Sequence, residues 1–104
     1  MTTNEVELDV LDIEDHANSD SSGQLKPRAR RYRIKVDRER FETTDPTPTG
    51  REVLALASKT PETYVLSQLM RNGPPTTIAA DETVNLRAPG VERFTTTPRE
   101  AIEG

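Results

Sequence analysis

The stretch Arg31-Tyr32-Arg33-Ile34-Lys35-Val36-Asp37-Arg38-Glu39-Arg40-Phe41-Glu42-Thr43 decides how this chain is read. Tyr32, Ile34 and Val36 alternate with Arg33, Lys35 and Asp37. Period two among β-formers predicts a strand with one buried face. Asp37-Arg38-Glu39-Arg40 is a polar turn, and Phe41 and Thr43 resume the alternation, so the stretch predicts a hairpin. Asp45-Pro46-Thr47-Pro48 ends it, because proline has no N–H to give to a ladder.

Downstream, Thr49-Gly50-Arg51-Glu52 has the spacing of a capping box, with Thr49 as N-cap and Glu52 at the third helical position. Val53, Leu54, Leu56 and Ala57 follow at helical spacing, so a short helix is expected from about Gly50 to Ser58, stopped by Thr60-Pro61. Tyr64 to Met70 reads as a strand, and Arg71-Asn72-Gly73-Pro74-Pro75 as a loop. Thr76 to Ile78 fits a short edge strand. Ala80 to Leu86 fits one helical turn or a tight acidic turn. Val91 to Thr97, centred on Phe94, fits a last strand. The order is strand, strand, helix, strand, short strand, strand. One helix across one face of a mixed sheet is the natural two-layer solution. The expectation is an α+β domain of β-grasp order over about residues 31–97, with a mixed four- to five-stranded sheet.

Residues 1–30 read as a disordered arm, acidic and then basic. Glu5, Glu7, Asp9, Asp12, Glu14, Asp15 and Asp20 come first, without a lysine or arginine among residues 1–20. Lys26, Arg28, Arg30, Arg31, Arg33, Lys35, Arg38 and Arg40 follow. The polar run from His16 to Gln24 cannot build a core. Within the arm, Val10-Leu11-Asp12-Ile13-Glu14-Asp15 resembles short apolar-then-acidic motifs that add a strand to the edge of a sheet, with Val10, Leu11 and Ile13 as the apolar contacts. Two readings stay open: a strand folded onto this domain's own basic strand or onto a neighbouring copy, and a solubilising acidic tail.

Bulk composition sets the limits. A chain of 104 residues fits one domain. At 32 % hydrophobic and 31 % charged residues it leans toward partial folding, and its large apolar residues concentrate between Tyr32 and Phe94. No cysteine is present, which removes disulfides, thiol catalysis and thiolate zinc sites. An unstapled domain of this size is expected in the cytoplasm. No apolar run is long enough for a membrane helix, and the acidic start is unlike a signal peptide. No nucleophile motif, glycine-rich phosphate loop or metal-ligand cluster occurs, so neither an enzyme active site nor a cofactor is expected. His16 is the lone histidine and is assigned no role. The basic run 26–40 has only Tyr32 as an aromatic companion, which argues against a nucleic-acid platform.

Tyr32-Arg33-Ile34-Lys35-Val36-Asp37, Asp45-Pro46, Thr49-Gly50-Arg51-Glu52-Val53-Leu54, Tyr64, Leu66 and Arg71-Asn72-Gly73 together resemble the bacterial multiubiquitin domain family. Asp81-Glu82-Thr83-Val84-Asn85-Leu86 and Arg93-Phe94-Thr95 extend the resemblance over roughly residues 31–97. It implies a ubiquitin-like β-grasp protein encoded beside proteins similar to activating enzymes, conjugating enzymes and JAB-type peptidases. Some such gene clusters are thought to act in antiphage defence. Many members carry tandem copies of the domain; this sequence has no internal repeat.

The resemblance implies a protein modifier, which is carried by other enzymes and does not catalyse. Such a protein is joined by an isopeptide bond from a terminal glycine to an amine of a protein target. Gly104 is the candidate, at the end of Pro98-Arg99-Glu100-Ala101-Ile102-Glu103-Gly104. Seven extended residues reach about 23 Å, and glycine, lacking Cβ, enters narrow channels. Glu103 stands where ubiquitin-type tails have another glycine. Arg33, Lys35, Arg40 and Arg93 are expected to form a basic partner-binding patch on the sheet, with Leu69 or Met70 at its edge. Lys26, Lys35 and Lys59 are the side chains able to receive a further modifier. The alternative is a non-covalent adaptor of the same fold.

Overall fold

The computed structural model describes residues 8–18 and 25–100. Its elements are β1 (Leu8–Asp12), α1 (Ile13–Ala17), β2 (Ala29–Val36), β3 (Glu39–Thr43), α2 (Gly50–Leu56), β4 (Tyr64–Met70), β5 (Thr76–Ile78) and β6 (Val91–Pro98). β2 and β3 form the expected hairpin, with Ile34 opposite Phe41 and Lys35 opposite Arg40. β6 lies parallel to β2 through Val36 and Phe94, β4 runs antiparallel to β6, and β5 closes the far edge. This strand arrangement, with α2 between β3 and β4, is the α+β ubiquitin-like β-grasp expected from the sequence.

The helix forms where its cap predicts. The Thr49 hydroxyl accepts from the Glu52 N–H at 3.2 Å and the Glu52 carboxylate accepts from the Thr49 N–H at 2.8 Å, so both partners of the box are made. Val53 and Leu54 are buried. They meet Tyr32, Ile34, Val36, Leu66, Ile78, Val84, Leu86, Val91 and Phe94 in one core. Val91 and Phe94 are three apart, so a regular strand cannot turn both inward. A register shift opposite Leu69 and Met70 solves this: Leu69 pairs with Arg93 and Met70 with Val91, leaving Glu92 as the extra residue. The segment Ala80 to Leu86 takes the turn option. It forms no helix, and Thr83 bridges Thr49 while Val84 and Leu86 donate to the carbonyls of Pro48 and Pro46.

The arm is where the structure departs from the sequence reading. Residues 8–17, expected to be part of a disordered arm, form β1 and α1, and the sheet has six strands instead of four or five. β1 pairs in parallel with β2, Leu8 with Ala29, Leu11 with Tyr32 and Asp12 with Arg33. The Asp12 carboxylate caps α1, accepting from the N–H groups of Glu14 and Asp15 at 3.1 and 3.2 Å. Leu11, Ile13 and Ala17 are buried. The physical reason is non-local: these side chains find their pockets only once β2 and β6 are assembled. No single-window pattern carries that information. Residues 1–7, 19–24 and 101–104 of the expected arm and tail lie outside the described residues.

Two measurements check this account. Ile13→Ala should cost about 2–5 kcal/mol in urea denaturation, because it opens a cavity under a fully buried side chain. A residue in a loose arm would give close to zero. Gly50→Ala separates packing from propensity. In an open helix, alanine would gain about 1 kcal/mol. Here a Cβ at Gly50 runs into the carbonyl of Ala79, so a net loss of about 1–3 kcal/mol is expected. A gain in stability would refute the close approach.

Candidate functional site

Alternation along β2 turns Tyr32, Ile34 and Val36 into the core and Arg31, Arg33 and Lys35 to the opposite face. Cross-strand pairing puts Arg40 directly opposite Lys35 and Glu42 opposite Arg33. The Val36–Phe94 register brings Arg93 alongside Lys35. The expected patch residues Arg33, Lys35, Arg40 and Arg93 therefore share the outer face of the sheet.

That face is already supplied with acids. Glu42 lies 3.0 Å from Arg31 and 3.3 Å from Arg33. Glu14, from α1, sits between Lys35 and Arg93, with a carboxylate oxygen 4.0 Å from each. Partly exposed pairs of this kind contribute only a fraction of a kcal/mol each, about 0.2–1. Their effect is on the sign of the surface: the arm's acids cover part of the patch. Met70 does not join it. Period two along β4 puts Met70 on the same face as the buried Leu66, so its side chain packs against the core, and Leu69 is the residue paired with Arg93.

The arm residues Val10, Leu11 and Ile13 lie in β1 and at the start of α1. Leu11 and Ile13 are buried and Val10 is half-buried. Around them the chain is held at several points. The Asn18 amide donates to Glu92 at 2.9 Å, so the extra residue of β6 meets the end of α1. Arg71 donates to the carbonyl of Ala17 at 3.3 Å. Lys26 N–H donates to the Arg87 carbonyl at 2.8 Å, and Arg87 Nε returns a bond to the Lys26 carbonyl at 2.8 Å.

Lys26 is an unexpected feature. Its side chain is fully enclosed, with Nζ donating to the carbonyl of Ala88. Burial pushes its pKa down to about 8. The amine is shut away from solvent, unlike Lys35 and Lys59, which stay partly exposed. His16 is held below its usual value, first by burial and then by the charge of Lys26. Nothing in the sequence distinguishes Lys26 from its basic neighbours.

At the other end, the root of the tail is anchored. Arg99 N–H donates to the Thr63 carbonyl at 3.0 Å, and Arg99 Nε donates to the Pro61 carbonyl at 2.7 Å. Glu62, Thr63, Tyr64, Pro98, Arg99 and Glu100 line a shallow open cleft there. The hairpin turn reaches the same strand. Asp37, at φ 60°, accepts from the Thr96 N–H at 2.8 Å and from its hydroxyl at 2.7 Å. Lys59 Nζ lies 3.7 Å from Asp37 and 5.2 Å above the Tyr64 ring. Gly104 itself lies outside the described residues. Among the described residues no group of three or more His, Asp or Glu is placed to hold a metal ion, and no helix is long and apolar enough to cross a membrane.

The buried Lys26 makes a prediction about pH. Its folded pKa, about 8, lies below the usual 10.5. Between these values the unfolded chain keeps a proton that the folded chain has released. Stability therefore gains a component that rises with pH across this window and is absent below it. Lys26→Met should remove that rise. Urea midpoints of both proteins, compared at several pH values from about 7 to about 10, read the difference. Equal slopes would contradict the burial of Nζ.

Comparison with known proteins agrees with this geometry. No curated protein and no solved structure gives a significant match. Residues 32–99, from β2 through the anchored Arg99, match the family described as Multiubiquitin. That span is well over half of the chain and contains the hairpin, the capped helix and the closing strands, so the chain belongs to the multiubiquitin family.

Proposed function

We propose that this chain is a bacterial ubiquitin-like protein modifier, attached to amines on target proteins through Gly104 by partner activating and conjugating enzymes. The observation that carries the reading is the family match over a β-grasp body whose last strand runs out to the surface at Arg99. In this reading the chain is a substrate of enzymes and carries no active site. An activating enzyme adenylates the carboxylate of Gly104 with ATP, releasing pyrophosphate, and a cysteine of its own takes the acyl group as a thioester, releasing AMP, before passing it to a cysteine of a conjugating enzyme. An amine of the target then displaces the thiol. The body provides recognition through its outer face, where Arg33 and Arg40 lie, and a JAB-type peptidase reverses the bond. The setting is cytoplasmic, and antiphage defence is the role that fits the family resemblance.

A non-covalent adaptor is the second reading. It draws support from Glu103, a carboxylate side chain where ubiquitin-type tails carry glycine. Co-expression of the tagged chain with activating and conjugating enzymes of its own source separates the two. Adducts of higher mass, seen by intact mass spectrometry and lost when Gly104 is deleted, are the expected result. Enzymes shown to be active on another substrate but giving no adduct with this chain would establish the adaptor.

A further inference from the structure

The two edges of β2 are used differently. Tyr32 and Arg33 pair with β3 on one edge and with β1 on the other. Val36 pairs with Glu39 of β3 and with Phe94 of β6. β1 and β6 therefore share one edge of β2, end to end. The β6 contact is confined to Val36, and the run from Ala29 to Arg33 is left to β1. What lies between the first half of β2 and the start of β6 is a slot, and residues 8–18 fill it.

The slot has the parts of a peptide-binding site. Main-chain pairing to Ala29–Arg33 supplies the ladder. Pockets take Leu11 and Ile13, 6 % and 0 % exposed. Lys35 and Arg93 flank the carboxylate of Glu14, and Arg31 lies 3.6 Å from Asp9. Glu92 and Arg71 hold the far end at Asn18 and Ala17. The occupant lies outside the span that defines the family, which starts at residue 32. It is joined to β2 through residues 19–28, of which 19–24 lie outside the described structure.

We propose that this slot is an exchangeable site for an extended apolar–acidic segment, and that its partner in solution is residues 8–18 of a second copy of this chain. All the contacts named above are between residues 8–18 and the rest of the domain, so an exchanged segment remakes each of them on the neighbour. The cost is confined to the connection and to the loss of free motion on association. Reciprocal exchange closes a dimer. Its population rises with protein concentration, since the tethered segment competes from an effective concentration on the order of millimolar. The proposal does not depend on conjugation of Gly104.

The natural chain has no cysteine, which makes a direct test possible. Val10 and Arg31 are Cα partners in the β1–β2 register and share the face opposite the buried Leu11 and Tyr32, so Val10→Cys and Arg31→Cys can be bridged and leave the core untouched. The two full-length variants are mixed in urea, refolded together at several concentrations and oxidised with glutathione disulfide. Non-reducing gels and peptide mapping then read the 10–31 link between chains. As a control, Val10→Cys is refolded with Glu62→Cys, an exposed site. Exchange predicts a 10–31 heterodimer at least about tenfold more abundant than the 10–62 control, increasing with concentration. A yield equal to the control at every concentration would overturn the proposal. So would a chain carrying both Val10→Cys and Arg31→Cys that closes only within itself, even at the highest concentration.

Discussion

The structure depends on the hydrogen-bonding capacity of one strand. β2 is paired along both edges, with β3 on one side and β1 followed by β6 on the other. A strand with unsatisfied N–H and C=O groups beside a hydrophobic core is unstable and prone to association. The single β2–β6 pairing at Val36 leaves most of one edge of β2 to another partner. β1 meets that need, and Leu11, Ile13 and Ala17 cover the apolar side chains that the same gap would expose. The small core is thereby enlarged by a segment whose composition alone argues against folding.

Much of the domain is legible because its signals are local. The alternation of Tyr32, Ile34 and Val36, the Thr49–Glu52 box and the proline stops each operate within a few residues. The strands at Tyr64–Met70 and Thr76–Ile78 begin and end where the pattern places them. The helix ends at Leu56, two residues short of the expected Ser58, which itself takes φ 61°. The arm was illegible for the opposite reason. Its strand has no turn beside it and no strict alternation. Its partner lies across a crossover, and its apolar residues stand among acids. The motif Val10–Asp15 did carry a strand-adding signature, but a signature that fits either a fold-back or a solvated tail decides neither.

The basic face was legible as a set of residues and not as an electrostatic surface. Period two groups Arg33 and Lys35 on one face of β2, and the pairings with β3 and β6 set Arg40 and Arg93 beside them. Glu14 reaches Lys35 and Arg93 from a separate element, so a count of cations along β2 overstates the charge a partner meets. Met70 shares its face with Leu66 by the period two of β4, which turns it to the core and leaves Leu69 on the outer face. Lys26 shows the same limit from the other direction. None of its seven basic companions in residues 28–40 gives a reason to single it out, and only the enclosure made by Arg87 and Ala88 does so.

The anchoring of Arg99 to Pro61 and Thr63 has a consequence for the footprint of any protein that would bind residue 104. Residue 104 is five positions beyond Arg99, so it lies within about 17 Å of that anchor. A partner that engages residue 104 with this anchor in place docks within reach of the cleft lined by Glu62, Thr63 and Tyr64. The connection between α2 and β4, which has no chemistry of its own, becomes the threshold against which such a partner is gauged.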